Sequence, residues 1–452
     1  MNCDLSDVTS QMDLVREAFH YKSRFEGSIM VFKIDFPVIE DPAFPFLMKD
    51  LALLAQTGFR VILVPGARES IDAALKVQNI TSISLKPDNN SEQIRVTSAQ
   101  AIPYVQMAAF DAATRLMTYL SGSRVDAVIG NFVRARGLGV VNGIDMEHSG
   151  AVDKIYTDSI SRVLKLGMIP ILPCIGWSPS GKPYNVPSDE IALNVSAALG
   201  ASKLFIVSVH GSLPGGLFPD DGGAVRLTPQ ETETFIAANS GSGANSGQTL
   251  AVLRKLRLAL KAVRAGVDRV HLINGDEEGS VLRELFSNLG TGAMIYTDVY
   301  EAIRPMHSRD LPDMLRLMEP LMQSGILIRR TAEQIQEKKE DYSVYEIDGS
   351  VHACGALHDW GEGQGEIAAV AADPLYSGMK LGRRIVGYLA DKARKNGLGR
   401  VFVLTTHTQD WFESLGFSEA SVDSLPQRKR ELYNNERKSK VFALNLNGGS
   451  RH

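Results

Sequence analysis

The residues of this chain that could do chemistry gather toward its C-terminal end. Residues 367–389 read as an apolar strand, a turn containing Gly378 and Gly382, and a helix with Arg383 and Arg384 in its first turn. A strand that runs into such a turn and then a helix leaves backbone N–H groups free at the helix N-terminus, a geometry that binds phosphate. Glycine lets an anion approach the main chain closely, and the arginines add charge. By itself this pattern is equally an ordinary strand-to-helix connection. Glu366 stands just before the strand's apolar run, and a lone glutamate there is most often solvated. Farther on, residues 427–440 concentrate Arg428, Lys429, Arg430, Arg437, Lys438 and Lys440. Guanidinium forks suit planar carboxylates, while a basic run also reads as a solvated face or a nucleic-acid patch. Apolar Leu432, Val441, Phe442 and Leu444 argue that the stretch folds into a domain.

These groups need a scaffold, and the chain is long enough to supply more than one. Its 452 residues, 44% hydrophobic and 22% charged, imply several domains and exclude wholesale disorder. With 48 Lys+Arg against 52 Asp+Glu, the net charge of −4 is too even to attract a nucleic acid or an acidic membrane over the whole surface. Any polyanion site must be local. Cys3, Cys174 and Cys354 form no CxxC pair, so they offer neither a disulfide framework nor a zinc knuckle, and the plain reading is a reduced, cytoplasmic protein. Acidic Asp4, Asp7, Asp13 and Glu17 break up the N-terminus where a signal peptide would be apolar. Apolar runs such as 61–64 and 168–172 fall far short of the roughly 20 residues that cross a bilayer.

From residue 28 to about 297, short apolar runs alternate with stretches of helical period, the signature of an α/β layered domain. Strands are expected at 29–32, 61–65, 127–129, 169–172, 204–207 and 270–273, after helices ended by signals such as Gly58 and Gly167. A doubly wound, mostly parallel sheet follows. Met12, Val15, Ala18 and Phe19 share a helical stripe in the N-terminal segment 1–25, which needs a partner surface such as another subunit. The run 240–247, SGSGANSG, reads as a loop. A boundary near 298 separates this domain, 26–297, from a second one, 298–452. There SVYEIDGSVHACGALHDW is two strands about an Asp348-Gly349 hairpin turn, and RVFVLTTHTQDWFESLGF is a strand followed by a short helix.

The order of strand, turn, helix, strand, with Phe412, Gly416 and Phe417 near its end, resembles the GCN5-related N-acetyltransferase family. Pairing with an upstream α/β domain, together with GILIRR, GEIAAVA, LTTHT and LPQRKRELYNNERKSKV, makes nearly the whole chain similar to the bacterial N-acetylglutamate synthase family. That resemblance implies an amino-acid-kinase-like three-layer domain fused to an acetyltransferase α/β domain. It also implies transfer of acetyl from acetyl-CoA to L-glutamate, the first step of arginine biosynthesis, with arginine as feedback inhibitor. A homo-oligomer, a hexamer built from kinase-like dimers, follows from the same family, with no metal, nucleic acid or membrane involved.

By the resemblance, Glu366 is the general base, needed because the substrate amine arrives as ammonium, and Thr405 donates to the departing thiolate. Arg330, Lys429 and Arg437 would hold glutamate carboxylates. Val370, Ala371, Ser377, Gly378, Lys380, Gly382 and Arg383 would hold acetyl-CoA, with Ser377 and Lys380 standing where the family usually has Arg or Gln and Gly. In the first domain Glu284, Gly290 and Gly292 would form the arginine site, and Gly279 stands where arginine-sensitive kinases often have His. Lys33 matches the kinase family, but Asp35-Phe36, Pro65 and Ala67 replace its phosphate-binding glycines and histidine, and proline lacks the N–H to contact a phosphate. Two other functions stay in view: an acetylglutamate kinase with an accessory domain, and an arginine sensor whose transferase has decayed.

Overall fold

The computed structural model describes residues 22, 25–85, 93–209, 225–240, 247–286, 292–297, 301–347, 350–374, 376, 380–434 and 437–446, without the side chains of 247–249 and 301. The N-terminal helical stripe, the Asp348-Gly349 turn and most of the 240–247 run lie outside these residues. The chain divides into two compact units, Met1–Thr297 and Asp298–His452.

In the first unit, β1 (Ile29–Ile34), β2 (Arg60–Pro65), β3 (Ala127–Ile129), β4 (Ile169–Ile171), β5 (Lys203–Ser208), β6 (Val225–Leu227), β7 (Arg269–Asn274) and β8 (Ala293–Tyr296) form one sheet in the order β6-β8-β7-β5-β1-β2-β4-β3. All pairs are parallel except β7 with β8. Parallel strands buried on both faces read as unbroken apolar runs, which is why these strands are visible in the sequence. Alternation sends Met30, Phe32, Leu63, Phe205 and Val207 to one side, against α1 (Phe44–Gln56) and α2 (Ile102–Gly122). Val31, Ile62, Leu204, Ile206 and Val270 go to the other, against α3 (Ser188–Leu199) and α4 (Gly247–Arg264). The result is a three-layer sandwich. A smaller four-stranded sheet, which includes Val133–Gly137 and Gly150–Ile155, accompanies it.

In the second unit, β9 (Glu301–Pro305), β10 (Tyr342–Ile347), β11 (Ser350–Asp359), β12 (Gln364–Ala372), β13 (Arg400–Thr405), β14 (Ser418–Ala420) and β15 (Lys440–Asn445) pair in the order β9-β10-β11-β12-β13-β15-β14. Only β12 and β13 run parallel. Helices α5 (Leu311–Gln323) and α6 (Ala332–Glu337) cover one face through Met314, Met318 and Ile335. On the other face lies α7 (Leu381–Lys395), whose Leu381, Ile385, Val386, Leu389 and Ala393 recur at helical spacing, and α8 (Gln409–Ser414) adds Phe412 to the same core. Gly355 lets α7 approach, for a Cβ there would meet Leu389 Cδ1 at 2.8 Å.

One irregularity at the sheet's centre matters most. The β11–β12 register shifts between Cys354 and Ala356, and Ala369 opposite takes φ +53°, a left-handed conformation uncommon for a side-chain-bearing residue. Ile367 packs toward α7 whereas Ala369 packs toward α5, so the bulge reverses the alternation of β12. Parallel pairing with β13 is confined to Gln364–Arg400, Gly365–Val401 and Glu366–Phe402. Beyond it the two strands part, β12 continuing to Ala372 and β13 to Thr405.

Candidate active site

Glu366 sits at the point of parting. It is only 6% exposed, and pairing with Phe402 places it on the sheet face opposite α7. Its Oε2 accepts a hydrogen bond from Trp360 Nε1 at 2.9 Å and an ion pair from Lys429 Nζ at 2.6 Å. Lys429 comes from α9 (Gln427–Glu431), and its ammonium also lies 4.6 Å from the centre of the Trp360 ring. A carboxylate so buried keeps its charge at tolerable cost only when such partners compensate for lost water. The sequence reading gave Lys429 to a substrate carboxylate. Here it is engaged with Glu366, a pairing across 63 residues that spacing could not reveal. Trp360 was missed altogether.

Thr405 is likewise 6% exposed, but strand alternation carries it to the α7 side, so Glu366 and Thr405 flank the split from opposite faces. Its hydroxyl lies 2.8 Å from that of Thr408 and accepts from the N–H of His407 and Thr408 at 3.3 and 3.1 Å. Such a local turn is a structural use of the side chain beside the chemical one.

The two arginines expected to act together do come together. Arg437 donates to the carbonyls of Gly325 at 3.0 Å and Ile326 at 2.7 Å, and Arg330 to that of Ile328 at 3.1 Å. Burial first, then the charge of Arg330, hold the Arg437 guanidinium below the ordinary arginine range. Among the described residues neither guanidinium meets a carboxylate. Two neighbouring cations without a carboxylate among the described residues attract anions. The surrounding segment is less embedded than its composition suggested. Val441 and Phe442 are buried, but Leu432 is 70% exposed and does not tie the basic stretch to the core.

Of the residues assigned to acetyl-CoA, Ser377 and Gly378 lie outside the described residues. Val370 and Ala371 follow the bulge on β12, past the last ladder pair with β13, so that edge of β12 offers backbone groups to a ligand. Lys380 caps α7 in the left-handed conformation, φ +52°. A Cβ at Gly382 would meet the Trp411 ring at 3.2 Å, so glycine there leaves room for that indole. Arg383 donates to the Ser414 carbonyl at 3.2 Å, and Arg384 donates to the Tyr345 hydroxyl and lies over its ring. Cys354 cannot serve as an acyl carrier in this state: burial pushes its thiol up to about 12, and the thiolate is the nucleophile.

The first unit holds a second charged cluster, at the carboxyl ends of β1 and β5, where ligands of doubly wound sheets bind. Lys33 pairs with Asp35 and, at 2.7 Å, with Asp189, while Lys255 reaches Asp35 at 3.5 Å. Burial pulls the Lys33 ammonium down, but Asp189 and Asp35 reverse this and hold it above the ordinary lysine range. Asp35 thus stands inside the place where an anion would be received.

Glu284 does not point an unused carboxylate at an effector. Its Oε1 meets His271 Nδ1 at 2.7 Å and its Oε2 accepts from Gly292 N–H at 3.2 Å. Burial pulls the His271 pKa down despite Glu284. Gly292 admits no side chain, since a Cβ would lie 2.1 Å from the Leu272 carbonyl oxygen. Gly290 lies outside the described residues.

A kinase-like layered unit without phosphate-binding glycines, followed by a sheet split beside a buried glutamate, defines an acetyltransferase joined to a kinase-like domain. Residues 38–274 match the amino acid kinase family model and residues 307–417 that of the acetyltransferase (GNAT) family. The amino-acid acetyltransferases of Escherichia coli strain K12 and Salmonella typhimurium strain LT2 are 35% and 34% identical, the matches covering 97% of this chain and 98% of each relative. A crystal structure of N-acetylglutamate synthase from Neisseria gonorrhoeae complexed with coenzyme A and L-arginine matches with TM-score 0.82 and 31% identity, over 97% of this chain and 99% of that one. Its complex with coenzyme A and N-acetyl-glutamate gives 0.59 and 32% over the same shares. The chain belongs to the amino-acid acetyltransferase family. No helix among the described residues is long and apolar enough to cross a membrane.

Proposed function

We propose that this chain transfers the acetyl group of acetyl-CoA to the amino group of L-glutamate, giving N-acetyl-L-glutamate and CoA. The observation that carries this reading is the buried Glu366 at the parting of β12 and β13. In a ternary complex the diphosphate lies near the α7 N-terminus, and the thioester follows the unpaired edge of β12 at Val370 and Ala371. Arg330 and Arg437 take carboxylates of glutamate. Glu366 removes one proton from its ammonium, the freed nitrogen lone pair attacks the thioester carbon, and the C–S bond breaks as the carbonyl re-forms and the nitrogen gives up its second proton. The thiolate gains a proton from the Thr405 hydroxyl, whose hydrogen is free when Thr408 donates between the two hydroxyls, and Thr405 regains one from the nitrogen directly or through water.

Arginine acts as feedback inhibitor through Glu284, Gly290 and Gly292, a guanidinium sharing or displacing the bonds Glu284 now makes. Solved complexes of a relative with arginine and with N-acetyl-glutamate support both assignments. The protein works in the cytoplasm as a homo-oligomer, a hexamer of kinase-like dimers. One assay tests the central claim: acetyl-CoA, ATP and glutamate are mixed while thiol and ADP are followed separately. Thiol release that requires glutamate, with no ADP, is expected. ADP formation without thiol when N-acetyl-glutamate replaces glutamate would establish the kinase instead, and neither product in either mixture would overturn the transferase reading and leave the arginine sensor.

A further inference from the structure

We infer that Trp360 and Lys429 are positioning residues for Glu366, which commit its Oε2 and leave Oε1 as the atom that receives the substrate proton. This rests on the proposed role of Glu366 as base. Both hydrogen bonds to the carboxylate converge on Oε2. The indole is held in place from several directions. Residues Gly361, Glu362 and Gly363 all have positive φ, +78°, +53° and +70°, and fold the β11–β12 connection so tightly that Trp360 N–H bonds the Gln364 carbonyl at 3.1 Å. Asp359 Oδ1 accepts from Gly361 N–H at 2.8 Å and stiffens the same turn. The Trp360 ring packs against the cluster of Phe402, Leu425 and Val441.

The turn and α9 are also tied to each other. Glu362 Oε1 accepts the first free N–H of α9, that of Gln427, at 3.0 Å, and Gln364 Nε2 donates to the Ser424 carbonyl at 3.3 Å. Two segments distant in sequence therefore meet at one carboxylate oxygen. A base fixed in rotation presents its remaining oxygen in a single direction, and orientation of this kind is a large share of catalytic advantage. Lys429 keeps further ammonium hydrogens after its bond to Oε2, so it can still meet a substrate carboxylate at the moment Glu366 becomes neutral.

Trp360→Phe keeps an aromatic ring but removes the indole N–H together with part of the bicycle. It should lower kcat by about 10-fold, the scale of one hydrogen bond to a charged group, with both KM values and the melting temperature nearly unchanged. Lys429→Arg should keep more activity than Lys429→Met. The decisive measurement repeats Trp360→Phe in a Glu366→Gln background, where no further loss is expected because both changes act through one carboxyl. An equal additional loss there, or full kcat in the single variant, would overturn the inference. If Glu366→Gln alone keeps full turnover, the base assignment itself fails, a result distinct from either.

Discussion

Both units bury lysines against carboxylates, yet the two clusters are balanced differently. In the first, Lys33, Lys255 and Arg254 meet Asp35 and Asp189, so the strand ends carry ion pairs made by the chain's own side chains. In the second, Lys429 is matched by Glu366, while among the described residues the guanidinium groups of Arg330 and Arg437 bond only carbonyls. A cation without a described carboxylate partner stays available to an anion, whereas one paired with a carboxylate of the chain is shared between that partner and whatever else it meets. Asp35 and Asp189 bring carboxylates to the strand ends while the three layers are kept.

The comparison breaks most sharply at Glu366. Glu366→Gln should lower turnover by on the order of 100-fold to 10,000-fold while calorimetric affinity for acetyl-CoA stays close to the parent's, as loss of a general base predicts. Unchanged turnover at neutral pH would remove the chemistry from this cluster. Lys33→Ala removes the shared partner of Asp35 and Asp189, leaving them only the more distant Lys255 and Arg254, and should lower unfolding free energy by roughly 3 kcal/mol in urea titration, yet leave thiol release intact below the melting temperature. A large loss of kcat in protein still folded would show that the first cluster is not merely scaffold.

Arg437→Leu comes next, with glutamate binding weakened by about 2 kcal/mol, acetyl-CoA binding retained, and Arg437→Lys recovering only part because an ammonium lacks the planar fork. If the Leu variant keeps the parent's glutamate KM and its preference over glutamine, the arginine pair is a surface feature.

The smallest effect lies in the first unit, at a carboxylate left unmatched there. Burial, with help from Glu278, pushes the Asp50 carboxyl up from 3.8 to about 6, and its Oδ2 has no partner. A carboxyl whose pKa is raised by folding favours the folded state while protonated, so this contribution is full at low pH and is lost as pH rises through about 4 to 6. Asp50→Asn should match the parent near the low end of that window and exceed it in stability above, by less than about 1 kcal/mol because water still screens the group. Equal stability of the two at neutral pH would refute the unmatched charge.

The strands of the first unit were legible because burial on both faces turns each into an apolar run, and 127–129 was read to the residue. Helix α7 was legible from the spacing of its apolar stripe. The bulge was not, since alanine at position 369 carries none of the warning a glycine gives. Arg330 and Arg437 came from resemblance, and no periodicity connects them. Trp360 looked like any aromatic at a strand end, because its partner six residues on becomes its neighbour only through a turn of positive φ. Leu432 misled for the opposite reason: hydrophobicity permits burial without compelling it.

The parting of β12 from β13 gives the middle strand of a seven-stranded sheet an unusual solvent chemistry. Amide protons at the centre of a sheet normally exchange with deuterium last, being released only when the whole domain opens. Those amides of β12 beyond Glu366 that face β13 have no strand to hold them and should exchange on the timescale of a loop. The core of the domain therefore carries a reporter of occupancy: deuterium uptake there should slow when acetyl-CoA docks, while the neighbouring amides that face β11 change little.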